Sequence, residues 1–166
     1  DGPESGLQLT FNAQPAILTT SYAWFQTLKE ELGFTPGAGA GHSLGEYTAL
    51  LAAGAMNLPD AVRLVRKRGE LMQSAVPKGK GKMAAMIGLD DDKVTALCEA
   101  ASMGESSLVV PANFNAPSQV VIAGHTEAVE RAEKLAADPE HPEWKARKVI
   151  PFTVSATFHS PLIKKV

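Results

Sequence analysis

Gly41-His42-Ser43-Leu44-Gly45-Glu46-Tyr47-Thr48-Ala49-Leu50-Leu51-Ala52-Ala53-Gly54 is the stretch whose reading decides the fold. Its first five residues have the Gly-x-Ser-x-Gly spacing of a nucleophile elbow, a tight strand-to-helix turn that exposes a serine hydroxyl. Such a turn is strained and brings two backbones close together, which favours glycine on both sides of the serine. It also needs a following helix, whose first N–H groups and dipole can stabilise an oxyanion. Gly41, Gly45 and the small or apolar run over residues 47–53 meet both demands. A run apolar on every side predicts a buried helix, closed here by Gly54. On this reading Ser43 is a nucleophile that forms a covalent acyl-enzyme; the plainer alternative is a serine N-cap on an ordinary buried helix. The elbow requires a short strand over residues 35–40, although Gly37 and Gly39 weaken it.

Working outward, a helix is expected from Asn12 or Ala13, with Pro15 in its first turn, where a missing N–H is harmless. Ile17, Ser21, Trp24, Phe25, Leu28 and Leu32 fall on one face, and Gly33 supplies a stop. A longer amphipathic helix is expected over residues 59–75. After the Lys78-Gly79-Lys80-Gly81 hinge the pattern changes: strands over 82–89, 107–113, 119–123 and 147–153, with helices begun by Asp90 and Thr126. The order β-α-β-β-α-β is that of a ferredoxin-like unit. The fold class is therefore α/β, with a small α+β subdomain over 79–153 inserted into a larger body formed by 1–78 and 154–166.

Composition bounds the function classes. The chain has 166 residues, 45% of them hydrophobic, enough for one compact core or two small ones. The net charge is −2 with no long basic block, which gives no electrostatic case for a nucleic-acid partner. No apolar run approaches the roughly 20 residues that span a bilayer, so no membrane role is expected. The lone Cys98 excludes an internal disulfide framework and fits a reducing cytoplasm. No His/Cys/carboxylate spacing suggests a metal. The abrupt start at Asp1 and stop at Val166 read as a piece of something longer.

A serine needs a base. His42 adjoins the nucleophile, and the elbow is expected to turn its ring elsewhere. His125 and His141 read as solvated surface residues. His159, in Ala156-Thr157-Phe158-His159-Ser160-Pro161, is as well explained by a buried structural role as by a basic one. Arg68 is more informative, because on the 59–75 helix it shares the apolar face of Ala61, Leu64, Val65, Leu71, Met72 and Ala75, while Arg63, Arg66, Lys67 and Glu70 point away. An inward arginine needs an anion: either an internal carboxylate or a substrate carboxylate held by parallel hydrogen bonds. Gln14, Asn113 and Asn115 are candidate pocket residues that turn and cap roles explain equally well. Lys78, Lys80 and Lys82 suit a solvated hinge better than a phosphate site, and Cys98 reads as a packed or half-exposed thiol.

Gln14-Pro15-Ala16-Ile17, Gly41–Tyr47, Arg68-Gly69-Glu70-Leu71-Met72-Gln73, Asn113–Val121 and Phe158-His159-Ser160 recur in an order that resembles the malonyl-CoA:acyl carrier protein transacylases. The resemblance covers essentially the whole chain. It implies an α/β-hydrolase-like body with an inserted ferredoxin-like subdomain. It also implies malonyl transfer from malonyl-CoA to the phosphopantetheine thiol of acyl carrier protein, with no permanently bound cofactor. Carried across, Ser43 is the nucleophile, His159 its base, the Leu44 N–H half of the oxyanion hole, and Arg68 the grip on the malonyl carboxylate. The family's other oxyanion donor lies several dozen residues before the Gln-Pro motif, and its sheet continues well past the histidine; both are expected outside this chain, which alone would then lack a complete site. Polyketide synthase acyltransferase domains share the chemistry, and Phe158 resembles the malonyl-selective type. A serine esterase or thioesterase with Asp138 or Glu140 as its acid is a further alternative, against which Arg68 argues, and a non-enzymatic, partner-binding fragment is another.

Overall fold

The computed structural model describes residues 3–76, 79–152 and 159–163. The chain divides into two compact units, residues 1–73 and 74–166.

The first unit is helical: α1 (Glu4–Leu7), α2 (Thr10–Leu32), α3 (Leu44–Ala52) and α4 (Leu58–Ala75). Helix α2 begins earlier than its sequence suggests, because Asn12 does not cap it; the Asn12 amide donates instead to the Gly6 carbonyl at 2.8 Å, tying α1 to α2. Pro15 consequently sits in the second turn, where its missing N–H leaves the Phe11 carbonyl without its helical donor. Arg66 of α4 fills that gap: its Nη1 donates to Phe11 O at 3.3 Å, and its guanidinium lies 4.5 Å from the Phe11 ring centroid. The core joins Leu18, Leu51, Ala61 and Val65, with Tyr22, Leu44 and Tyr47 packed against it.

Several faces differ from expectation. The buried stripe of α2 is Gln14 and Leu18, whereas Ile17, Trp24 and Leu32 are exposed. Helix α3 is not buried all round: Leu51 faces the core, but Leu50 is exposed, because the described helices of this unit cover only one side of it. Ile17, Ser21 and Phe25 of α2 and Thr48, Ala49 and Ala52 of α3 instead wall a groove of about 850 Å³. On α4, Ala61, Val65 and Gly69 are buried, while Leu64 and Leu71 point outward. Residues 35–40 form no strand; among the described residues of this unit there is no second strand for them to pair with.

One contact sets the crossing of α4 over the start of α2. A Cβ on Gly69 would collide with the Phe11 Cα and crowd Phe11 N at 2.9 Å. Only glycine allows this approach, and it lays the residues around position 69 against the first turns of α2.

The second unit comprises β1 (Gly81–Ile87), α5 (Asp91–Ala101), β2 (Val109–Ala116), β3 (Gln119–His125), α6 (Thr126–Ala137) and β4 (Lys148–Pro151). Its four strands pair antiparallel in the order β2-β3-β1-β4. The runs Met83-Ala84-Ala85-Met86 and Val120-Val121-Ile122-Ala123 are apolar at every position because both sheet faces are covered. Ala84, Met86, Val120 and Ile122 pack under α5 and α6; Met83, Ala85, Val121 and Ala123 form a separate cluster with Ile150 and Phe152. Lys82 is no hinge residue: it lies on β1 and pairs with Glu133 of α6 at 2.7 Å. His125 is half-buried rather than solvated, with its Nδ1 accepting the Leu108 N–H at 3.0 Å. Cys98 is fully packed in the core, and burial pushes its thiol pKa up to about 12. Among the described residues no helix is long and apolar enough to cross a membrane, and no group of three metal-ligating side chains forms.

Two outcomes test this packing. Gly69→Ala gains about 1 kcal/mol of helix propensity but forces backbone against backbone, so chemical denaturation should show a net loss of about 1–3 kcal/mol; a rise would contradict the crossing. Cys98 should stay unmodified by a thiol reagent at pH 8 in the folded protein and react fully only once denatured.

Candidate active site

Ser43 stands immediately before α3 with φ 52° and ψ −106°, a conformation that residues other than glycine avoid. Holding it there costs about 1–3 kcal/mol and turns the serine out of the chain direction. The strain is held by a backbone clasp: Gly45 N–H donates to His42 O at 2.8 Å, and Glu46 N–H to Ser43 O at 3.4 Å. Gly41 is required sterically, since a Cβ there would run into the Gly45 carbonyl and the Glu46 nitrogen. Gly45 is not required in the same way, because a Cβ on it meets no described residue within 4 Å. The expectation of two obligatory glycines therefore reduces to one.

The Ser43 hydroxyl makes no capping hydrogen bond to α3, so the N-cap role does not account for it. It accepts instead from Arg68 Nη2 at 3.0 Å. His42, Leu44 and Gly45 line the apolar groove, while the serine hydroxyl is directed to Arg68. Leu44 opens α3, so its N–H has no intrahelical acceptor and belongs to the positive end of the helix dipole.

Arg68 is half-buried and has uncharged neighbours. Its Nη1 donates to Gln14 Oε1, its Nη2 to Ser43 Oγ, and its guanidinium stands 5.4 Å from the Tyr47 ring centroid. Among the described residues no carboxylate pairs with it. On the same helix Arg63 is paired with Asp60 at 2.9 Å and Arg66 with Glu70 at 3.0 Å. The internal salt bridge that an inward arginine usually finds is thus absent from the described residues, and the guanidinium keeps its charge beside a serine hydroxyl. Gln14 is 5% exposed, and its link to Arg68 was not legible in the sequence; the Gly69 crossing that creates it joins residues 54 positions apart.

The remaining candidates lie in the second unit. Asn113 and Asn115 are on edge strand β2, where register shifts between Pro111 and Asn113 and between Phe114 and Ala116 break the pairing with β3. Such irregularities re-aim side chains; Asn115 and Phe114 are exposed. His159 has φ 55°, one of three described non-glycine residues with positive φ beside Ser43 and Ser118, and is exposed. It is followed by Ser160, whose buried hydroxyl has no hydrogen-bond partner among the described residues. Phe158 and Lys78 lie outside the described residues.

The chain is 48% identical over 163 residues to the malonyl CoA-acyl carrier protein transacylase of Escherichia coli K12, covering 98% of this chain and 50% of that protein. An acyl-carrier-protein S-malonyltransferase from Burkholderia pseudomallei superposes with a TM-score of 0.89 at 49% identity, over 98% of this chain and 51% of the other. A malonyl-transacylase solved in complex with a type II polyketide synthase acyl-carrier protein superposes with a TM-score of 0.89 at 44% identity, over 98% and 50%. The chain thus spans about half the length of the curated relatives it matches. The sequence profile of the acyl transferase domain matches residues 1–166, and the chain belongs to that family.

Proposed function

We propose that this chain carries the nucleophile half of a malonyl-CoA:acyl carrier protein transacylase that serves fatty acid synthesis. One observation carries the reading: a guanidinium without a described carboxylate partner stands 3.0 Å from the Ser43 hydroxyl. In a malonyl group a single methylene separates the reacting carbonyl from the carboxylate. A carboxylate receptor for that group must therefore lie within a few ångströms of the nucleophile, as Arg68 does. A longer diacid would place its charge farther away, and an acetyl group would offer the arginine nothing.

The reaction is ping-pong. Ser43 Oγ, losing its proton to the His159 imidazole, attacks the malonyl thioester carbonyl of coenzyme A. The tetrahedral oxyanion rests on backbone N–H groups, that of Leu44 among them, each worth about 3 kcal/mol of the barrier. The C–S bond breaks, coenzyme A leaves as its thiol with the proton from the imidazolium, and malonyl-Ser43 remains. The phosphopantetheine thiol of acyl carrier protein then attacks, and the same steps run in reverse. Arg68 forms two parallel hydrogen bonds to the malonyl carboxylate, exchanging its Ser43 contact for the substrate. Gln14, Asn113 and Asn115 keep the candidate pocket role that the family resemblance gives their motifs. No permanent cofactor is needed, and the cytoplasm is the compartment this chemistry implies.

In this reading residues 1–78 and 154–166 belong to an α/β-hydrolase-like body and residues 79–153 to a ferredoxin-like subdomain; the element order and the β2-β3-β1-β4 arrangement support the latter. A hydrolase built on Asp138 is less well supported, since that half-buried carboxylate accepts the Glu140 N–H at 2.9 Å within its own turn.

In the full-length protein bearing these residues, malonyl-CoA should leave a malonyl mass on the Ser43 peptide and none in Ser43→Ala. Arg68→Ala should lower malonyl transfer roughly 100-fold or more, the scale of losing a charge-assisted bidentate contact, while acetyl transfer persists. Release of free malonate without acyl carrier protein would favour a hydrolase, and no adduct would overturn the reading.

A further inference from the structure

The Arg68 guanidinium must be aimed without being neutralised, and the groups that hold it meet both requirements. Gln14 is 5% exposed, and its side-chain orientation is over-determined. Its Nε2 donates to Thr10 Oγ1 at 2.9 Å and faces Met72 Sδ at 3.5 Å. With the amide nitrogen so placed, Oε1 is presented to Arg68 Nη1. The reversed amide would set N–H against N–H, because a guanidinium has donors only, so this orientation is the only one the site accepts. Nη1 anchored on Gln14 leaves Nη2 at Ser43 Oγ, and Tyr47 backs the guanidinium with its ring. All three neighbours are uncharged.

A glutamate at position 14 would fit the same space and bind the arginine more strongly. That ion pair would also cancel the charge a substrate carboxylate needs. We infer that Gln14 is a positioning and specificity-determining residue: a neutral clamp that fixes the Arg68 guanidinium beside Ser43 while leaving its positive charge for a carboxylated acyl group. This rests on the proposed role of Arg68 and extends it, since selectivity for a carboxylated acyl group then depends on what position 14 lacks as much as on the arginine itself.

The test measures single-turnover acylation of Ser43 by malonyl-CoA and by acetyl-CoA in the full-length protein and its Gln14→Glu, Gln14→Met and Arg68→Ala variants. Gln14→Glu should lower malonylation roughly 100-fold by closing an internal ion pair, with acetylation within about three-fold of the unmodified protein. Gln14→Met, similar in size and uncharged but unable to anchor Nη1, should lower it roughly 10-fold, chiefly through KM. Equal effects of the Glu and Met variants, or equal losses of malonylation and acetylation, would overturn the neutral-clamp role. If Gln14→Glu does not fold, the Met variant decides: a raised KM for malonyl-CoA alone supports the clamp, and unchanged kinetics with both donors refute it. Arg68→Ala separates the two levels. Unimpaired malonylation there would strike down the carboxylate reading itself, whereas its loss alongside an unselective Gln14→Glu variant would remove only the role of Gln14.

Discussion

A half-buried arginine held entirely by uncharged groups is the constraint around which the first unit is arranged. A guanidinium withdrawn from water ordinarily recovers its desolvation cost from a carboxylate. Arg68 has an amide oxygen, a hydroxyl and an aromatic face instead. That arrangement is costly for a fold and suits a site, because the missing anion is one that a substrate can bring. Arg131, in the second unit, shows the structural counterpart: its Nε and Nη2 donate to the Ala101 carbonyl and to Ser107 Oγ at 2.9 and 2.7 Å, tying α6 to the end of α5 and the loop that follows it.

The placement of Arg68 depends on features remote from its own chemistry. The bare Cα of Gly69 lets α4 touch the backbone of α2 at Phe11. Pro15 leaves the Phe11 carbonyl to Arg66, adding a second tie at the same crossing. The apolar contacts of Leu18, Leu51, Ala61 and Val65 then hold α2, α3 and α4 together, with Leu44 and Tyr47 fixing the start of α3. Ser43 reaches Arg68 only because its backbone takes a left-handed φ that the Gly41 turn permits. Strain at the serine and close packing at Gly69 are two parts of one device.

Local signals made much of this readable from the residues, and nonlocal ones did not. The spacing around Ser43 and the inward position of Arg68 follow from turn chemistry and helical period. The strands and helices of the second unit follow from uninterrupted apolar runs separated by caps and turns, with boundaries shifted by a few residues. The partner of Arg68 was not readable, since Gln14 meets it only through the Gly69 crossing. The faces of α2 and α3 misled for a related reason: Ile17, Trp24 and Leu50 are apolar, yet the described helices of their unit do not cover them. Apolar period reports that a surface wants cover and is silent about which element provides it. The segment 35–40 carries the same lesson, because strand structure is a property of a pair.

The most direct test of the account is the crystal structure of the full-length protein trapped as its malonyl adduct. The ester should sit on Ser43 Oγ, with the malonyl carboxylate in two hydrogen bonds to the Arg68 guanidinium and Nη1 still anchored on Gln14. An ester whose carboxylate points to solvent or to another cation, with Arg68 left on Gln14 alone, would contradict it.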